Sequence, residues 1–136
     1  KDLLPALQIY RDDFNPSQQL DVPYVAAGVN VFAADTNAQA KRLFTSAQQQ
    51  FTHLIRGTPG RIPPPIDDIE SYWSPVEKLH VASMLACSFV GSRASIGRGL
   101  KEFLGRTGVE ELIVASAIYD HAARLRSYEI LMDAIE

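Results

Sequence analysis

The sequence has 136 residues, 46% of them hydrophobic and 21% charged, with a formal net charge of -3. That suffices for one domain of ordinary size, is too apolar for a disordered tail, and offers no basic surface for nucleic acid. No apolar run approaches the roughly 20 residues of a membrane span. The opening KDLLPALQIYRDDF is amphipathic rather than a signal peptide, and the single Cys87 excludes an internal disulfide or a thiolate metal site. These facts predict a cytoplasmic protein with a buried, inert Cys87, no metal, and neither nucleic acid nor membrane as a partner.

In chain order, Lys1 to Phe14 carries Leu3, Leu7, Tyr10 and Phe14 at helical spacing, with Pro5 confined to the first turn. NPSQQLDVP then breaks the pattern as a short surface connection. Tyr24 to Ala33 is apolar almost throughout, which predicts a strand covered on both faces, as in a parallel sheet. Val25, Ala27, Val29, Val31 and Ala33 share one face, and Tyr24, Ala26, Gly28, Asn30 and Phe32 the other. Thr36 and Gln39 form a capping-box pattern for a helix whose stripe is Ala40, Leu43, Phe44, Ala47, Phe51, Leu54 and Ile55, ended by Gly57.

From Gly57 to Ser74, GTPGRIPPPIDDIESYWS holds too many prolines and glycines for a regular element. It is also too apolar for a free linker, with Ile62, Ile66, Ile69, Tyr72 and Trp73. Such loops pack onto something and are often lids or binding segments. Ser74, Pro75 and Glu77 start the next helix, which runs toward Cys87, and SFVGS follows as a short extended piece. Ser92 opens a helix with the stripe Ile96, Leu100, Phe103 and Leu104, weakened by its glycines and ended at Gly108. Glu111 to Ser116 reads as a second strand, and about Asp120 to Ile135 as a last helix with Leu125, Tyr128, Met132 and Ile135 facing inward. Two strands joined by helical crossovers belong to a parallel sheet. Alone they would expose both edges and most of one face, so the chain reads as part of something larger.

The chemistry-bearing residues form no ready-made site. His53, His80 and His121 lack metal-ligand spacing. The first two read as solvated or capping residues. His121 follows Asp120 just beyond the end of a strand, where either a helix cap or an active-site role fits. Asn30 in a buried strand needs a hydrogen-bond partner, which a ligand cavity or a neighbouring strand could supply. Asp67, Asp68 and Glu70 read as solvated loop charges. Arg124 and Arg126, two apart on a helix, point in different directions and form no clamp. GSRASIGRGLK matches neither a P-loop nor a dinucleotide-binding glycine pattern.

Four longer stretches carry more. IYRDDFNPSQQLDVPYVAAGVNVFAADT, TSAQQQFTHLIRGTPGRIPPP, ACSFVGS and GVEELIVASAIYDHAARLRSYEIL span essentially the whole chain. They closely resemble the C-terminal part of luciferase-like flavin-dependent monooxygenases, in the alkanal-monooxygenase-like subgroup. The resemblance implies an α/β chain that is the C-terminal fragment of a (β/α)8 TIM-type barrel, mostly helical, with two parallel-type strands. Residues 1–136 would form a single segment starting in the helix after strand six. Its two strands would be barrel strands seven and eight, and residues 57–74 part of a mobile lid inserted after strand seven.

The resemblance further implies reduced FMN and molecular oxygen acting on an organic substrate such as an aldehyde, with the protein positioning the flavin and excluding water. The subgroup's phosphate segment resembles Gly-Ser-Ser-x-Tyr-Ser-Ala, which does not occur here, so much of the flavin site would lie elsewhere. By position, the resemblance brings forward Asn30, Ser116, Asp120 and His121 as cofactor-binding residues, and Arg56 and Trp73 at the substrate entrance. No catalytic residue is singled out. The expected partners are the missing N-terminal barrel half or a second copy of the chain, with a flavin reductase beyond them, and the segment alone would be inactive. The alternative is a non-catalytic, self-associating α/β remnant of the same family.

Overall fold

The computed structural model describes residues 2–136; Lys1, where the first helix is expected to begin, lies outside them. The elements run α1 Leu3–Asp12, β1 Ala26–Ala33, α2 Asn37–Ile55, α3 Pro75–Met84, β2 Ser88–Gly91, α4 Arg93–Thr107, β3 Glu111–Ala115 and α5 His121–Ile135. The three strands form one parallel sheet in the order β2-β1-β3. The pairing of β1 with the strand near Glu111 follows the sequence, but the sheet has a third strand where the sequence predicts two. β3 pairs with residues 26–30 of β1, and SFVG pairs with residues 30–33 from the other edge. At four residues, SFVG is too short to show the alternation that marks a strand.

Moving from β1 out to β2 and back across to β3 reverses direction over the sheet. With right-handed crossovers, such a reversal places the connecting helices on opposite faces, and the packing agrees. Ala27, Val29, Val31 and Ala33 of β1 meet Ile96, Leu100 and Phe103 of α4, Ile130 and Leu131 of α5, and Leu7 of α1. On the opposite face Phe32 meets Ala47 of α2, Val81 of α3, Leu85, Trp73 and Ile118, with Phe44 tilted against it at 4.8 Å between ring centroids. α2 and α3 thus cover the C-terminal half of the second face.

That second cover is incomplete, which corrects the expectation of a strand buried on both sides. Ala26 and Gly28 are exposed, Asn30 is half-buried, and only from Phe32 onward is the face closed. On β3, Ile113 stands on the same uncovered area and is 62% exposed.

The last helix is also turned from its expected setting. Leu125, Met132 and Ile135 are exposed, and Ser127, Ile130 and Leu131 are buried instead. The reason is polar. β3 ends beside Asn30, so the Val31 carbonyl and the Ala33 amide of β1 lack a strand neighbour on that side. The Ser127 hydroxyl accepts from the Ala33 amide at 2.9 Å and donates to the Val31 carbonyl at 3.5 Å, while Ser116 Oγ donates to the same carbonyl at 2.7 Å. A buried backbone group without a partner costs more than an exposed leucine.

The caps follow the sequence more closely. Ser74 and Glu77 complete a capping box, and Gly57 and Gly108 take left-handed conformations (φ +74° and +62°) at the ends of α2 and α4. Thr36 accepts from the Gln39 amide at 3.1 Å, the forward half of its box.

Candidate functional site

In open parallel sheets ligands settle outside the carboxyl ends of the strands, where the strand order reverses. Here that place is the crevice between the segment after β1, leading into α2, and the segment after β3, leading into α5. The cavity there measures about 270 Å³. It is lined by Ala33 and Ala34 at the end of β1, Gln39 and Arg42 of α2, and Arg126 of α5. The N-terminal turns of both helices adjoin it, capped by Thr36 and Asp120.

Two arginines set its electrostatics. Arg126 donates from Nη2 and Nε to one oxygen of Asp35, at 2.8 and 3.3 Å, and from Nη1 to Glu129 at 3.2 Å. Asp35 first, and then Glu129, hold that guanidinium even more firmly protonated than usual. Arg42 uses Nε for a 3.0 Å bond to Asp67, and both partners are largely exposed. The sequence marks Gln39 only as a capping-box residue of the following helix, and neither Arg42 nor Asp35 stands out in it. The available signal was a polar residue at 35, 39 and 42 around the start of a helix that follows a buried strand. Arg124 and Arg126 do diverge as expected, since Arg124 turns to His121 Nδ1 at 2.8 Å.

The four residues advanced as cofactor contacts do not converge. Asn30 reaches sideways to Ser88 Oγ at 3.3 Å, on the β2 side of the sheet. Ser116 lies on the β3 side, buried, with its hydroxyl committed to Val31 and its amide to Tyr128 Oη at 3.2 Å. Asp120 accepts from the Ala123 amide at 2.9 Å as the cap of α5, and His121 is exposed beside Arg124. Of the alternatives open for Asn30 and His121, the structure displays the neighbouring-strand bond and the helix start. Cys87 is half-buried rather than fully enclosed.

Residues 57–74 pack along α2. Thr45 Oγ1 accepts from the Ile66 amide at 3.0 Å, Gln49 Nε2 donates to the Pro64 carbonyl at 3.0 Å, and Arg42 reaches Asp67. A mostly apolar groove of about 670 Å³ runs between this loop and the helix, past Phe44, Ile66, Ile69 and Val90, with Arg42 also on its rim.

Arg56 and Trp73 sit at the two ends of the loop. Arg56 donates to both oxygens of Glu77, at 2.6 and 3.0 Å, and to the Tyr72 carbonyl at 2.9 Å, while stacking over the Tyr72 ring. The Arg56 hydrogen bond, helped by the Ser74 amide, pulls the Glu77 carboxyl down to about 2. Trp73 is buried and donates Nε1 to Glu70 at 3.3 Å. Both residues therefore fasten the loop. Among the described residues no three His, Cys, Asp or Glu side chains converge as metal ligands, and no helix is long and apolar enough to cross a membrane.

Fold and crevice define a parallel α/β unit with a cavity at the ends of its strands. More particularly, the chain is homologous to luciferase-like monooxygenases. It is 44% identical over 134 residues, 98% of its length, to a luciferase-like monooxygenase of Escherichia coli (strain K12). It is 43% identical over 96% of its length to the uncharacterized protein YvbT of Bacillus subtilis (strain 168). The crystal structure of apo-MsnO8 superposes on 98% of the chain with a TM-score of 0.77 at 28% identity. The chain spans about 40% of the length of these proteins: 40%, 39% and 41% in turn. No family model matches it.

Proposed function

We propose that the chain is the C-terminal part of a flavin-dependent luciferase-like monooxygenase built on a TIM-type barrel. That enzyme would use reduced FMN and molecular oxygen to oxidise an organic substrate such as an aldehyde. The observation that carries this reading is the 44% identity to a luciferase-like monooxygenase sustained over 98% of the chain.

The chain's own groups do not make a flavin cradle. Ser116 and Asp120 are committed to backbone groups, and Asn30 and Ser116 stand on different sides of β1. FMN would therefore be held mainly by other parts of the enzyme. The contribution of residues 2–136 is the sheet face, the crevice and a fastened loop beside an apolar groove, all suited to excluding water from a reaction. The loop would act as a lid, with Arg56 and Trp73 anchoring its ends near the substrate entrance.

The expected partners are the remaining barrel half and, for the supply of reduced flavin, a reductase. The test is assembly with that half, followed by reduced FMN, oxygen and a panel of aldehydes. One oxygen atom should appear in the carboxylic acid and the other in water, with oxidised FMN as co-product. Flavin oxidation that yields only hydrogen peroxide across the panel refutes the reading.

One observation favours the alternative of a self-associating, non-catalytic unit. The uncovered area around Ile113 and both free sheet edges invite association. Sedimentation of the chain with and without the other half decides between the two. A dimer that persists when the other half is present supports the alternative.

A further inference from the structure

We propose that His53 and Tyr72 form an acid-sensitive clasp at the neck of the 57–74 loop, closed while the imidazole is neutral and opened when it takes up a proton. The clasp is independent of the flavin reading. Tyr72 Oη and His53 Nε2 are 2.6 Å apart, and on the other side of the ring Nδ1 lies 3.3 Å from Thr58 Oγ1. Thr58 follows α2 and Tyr72 precedes α3, so one side chain ties together both ends of the loop. His53 and Tyr72 are both half-buried.

A neutral imidazole with its proton on Nδ1 completes a directed chain. Tyr72 donates to Nε2, Nδ1–H donates to Thr58 Oγ1, and Thr58 donates in turn to the His53 carbonyl at 3.4 Å. A second proton, on Nε2, breaks that order. Both ring nitrogens then donate, so Tyr72 Oη has to accept, and its own hydrogen finds no acceptor among the described residues. The hydroxyl that loses its partner in a half-buried place is what opens the neck.

The charges around the ring leave that hydrogen bond to decide. On α2, Arg56 follows three positions later, stands 5.0 Å over the Tyr72 ring and repels a charged imidazole, while the carbonyls of the helix end attract one. These two effects are similar in size and opposite in sign. From α3, Glu77 gives both oxygens to Arg56, Lys78 turns to Glu70, and His80 is exposed. Within the loop, Asp67 holds Arg42, Asp68 accepts from Ser71, Glu70 accepts from Trp73, and Arg61 is exposed.

The tip of the loop is held differently. Thr45 on the Ile66 amide, Gln49 on the Pro64 carbonyl and Arg42 on Asp67 involve no imidazole, so mild acid loosens the neck and leaves the tip in place. The window is also separate from that of the Arg56 pair. Imidazoles change charge between about pH 5 and 8, whereas the Glu77 carboxyl is held down to about 2.

The test is amide hydrogen exchange of the full chain at about pH 7.5 and about pH 5.5, on either side of the imidazole range's centre. Rates are expressed as protection factors, so that the intrinsic pH dependence of exchange cancels. At the lower pH, protection should fall about threefold or more at the Thr58 and Tyr72 amides, which are bonded to the His53 and Ile69 carbonyls, and should hold at Ile66. Tyr72→Phe keeps the ring under Arg56 without the hydroxyl and should show the low protection at both pH values. His53→Gln accepts from Tyr72 without gaining charge and should show the high protection at both. An unchanged amide spectrum in α4 and α5 confirms that the variants fold. Equal protection at the two pH values in the unsubstituted chain, a fall of the same size in either variant, or a parallel loss at Ile66 overturns the clasp.

Discussion

The two faces of the sheet are finished to different degrees. Under α1, α4 and α5 the side chains of β1 are covered from Ala27 to Ala33, and even the unpaired backbone groups at its end are met by hydroxyls. Under α2 and α3 the cover reaches Phe32 and stops, leaving Ala26, Gly28 and Ile113 in the open. The second has a core of its own at the carboxyl end and a bare area at the amino end.

The largest effect should come from the small core of the second face. Phe32 is fully enclosed there, so Phe32→Ala should cost about 3 to 5 kcal/mol in urea unfolding. A loss below about 1 kcal/mol would mean that the second face is a veneer rather than a core. Next is Ser127→Ala, which strands the Ala33 amide inside the first face and should cost about 1 to 3 kcal/mol. An unchanged midpoint would show that the rotation of α5 does not serve the backbone.

A gentler effect is expected from acid, acting on the loop that completes the second face. Glu77 is held down to about 2 in the folded chain, from an ordinary value of 4.5. Its contribution is therefore fully present above about pH 4.5 and drains away as the pH falls toward 2. Glu77→Gln should flatten the stability profile in that window. An identical slope in both proteins would remove the Arg56 pair as its cause. Smallest of all, Ile113→Ser should change folding by less than about 0.5 kcal/mol, because the side chain is already in water. It should nevertheless reduce self-association or docking, and a substitution that unfolds the chain would show the area to be covered after all.

Much of this architecture is legible in the sequence because it rests on local chemistry. The serine, proline and glutamate at 74, 75 and 77 and the glycines at 57 and 108 mark helix ends by rules that act within a few residues. The apolar run from Val25 to Ala33 announces a parallel strand. What could not be read depends on distant partners. SFVG becomes a strand only because residues 30–33 of β1 have a free edge, and α5 turns Ser127 inward only because β3 is short. The crevice is hidden for the same reason. Arg42 and Arg126 are 84 positions apart in sequence and reach the same cavity only once β1 lies beside β3. Asn30, Ser116 and Asp120 were legible as strand-end polar groups, but sequence position alone does not say which already have partners.

The two serines at the end of β1 have a consequence for how such units diversify. A strand terminated by another strand ties its loops to the register of that neighbour, so an insertion on one side disturbs both. On the β3 side of β1 the termination is made by single hydroxyls on Ser116 and Ser127. The loops on either side of the crevice can therefore be lengthened or exchanged beyond Ala34 without re-registering β1 against β3. Those two positions are the ones to hold fixed when the rim is redesigned for a new ligand.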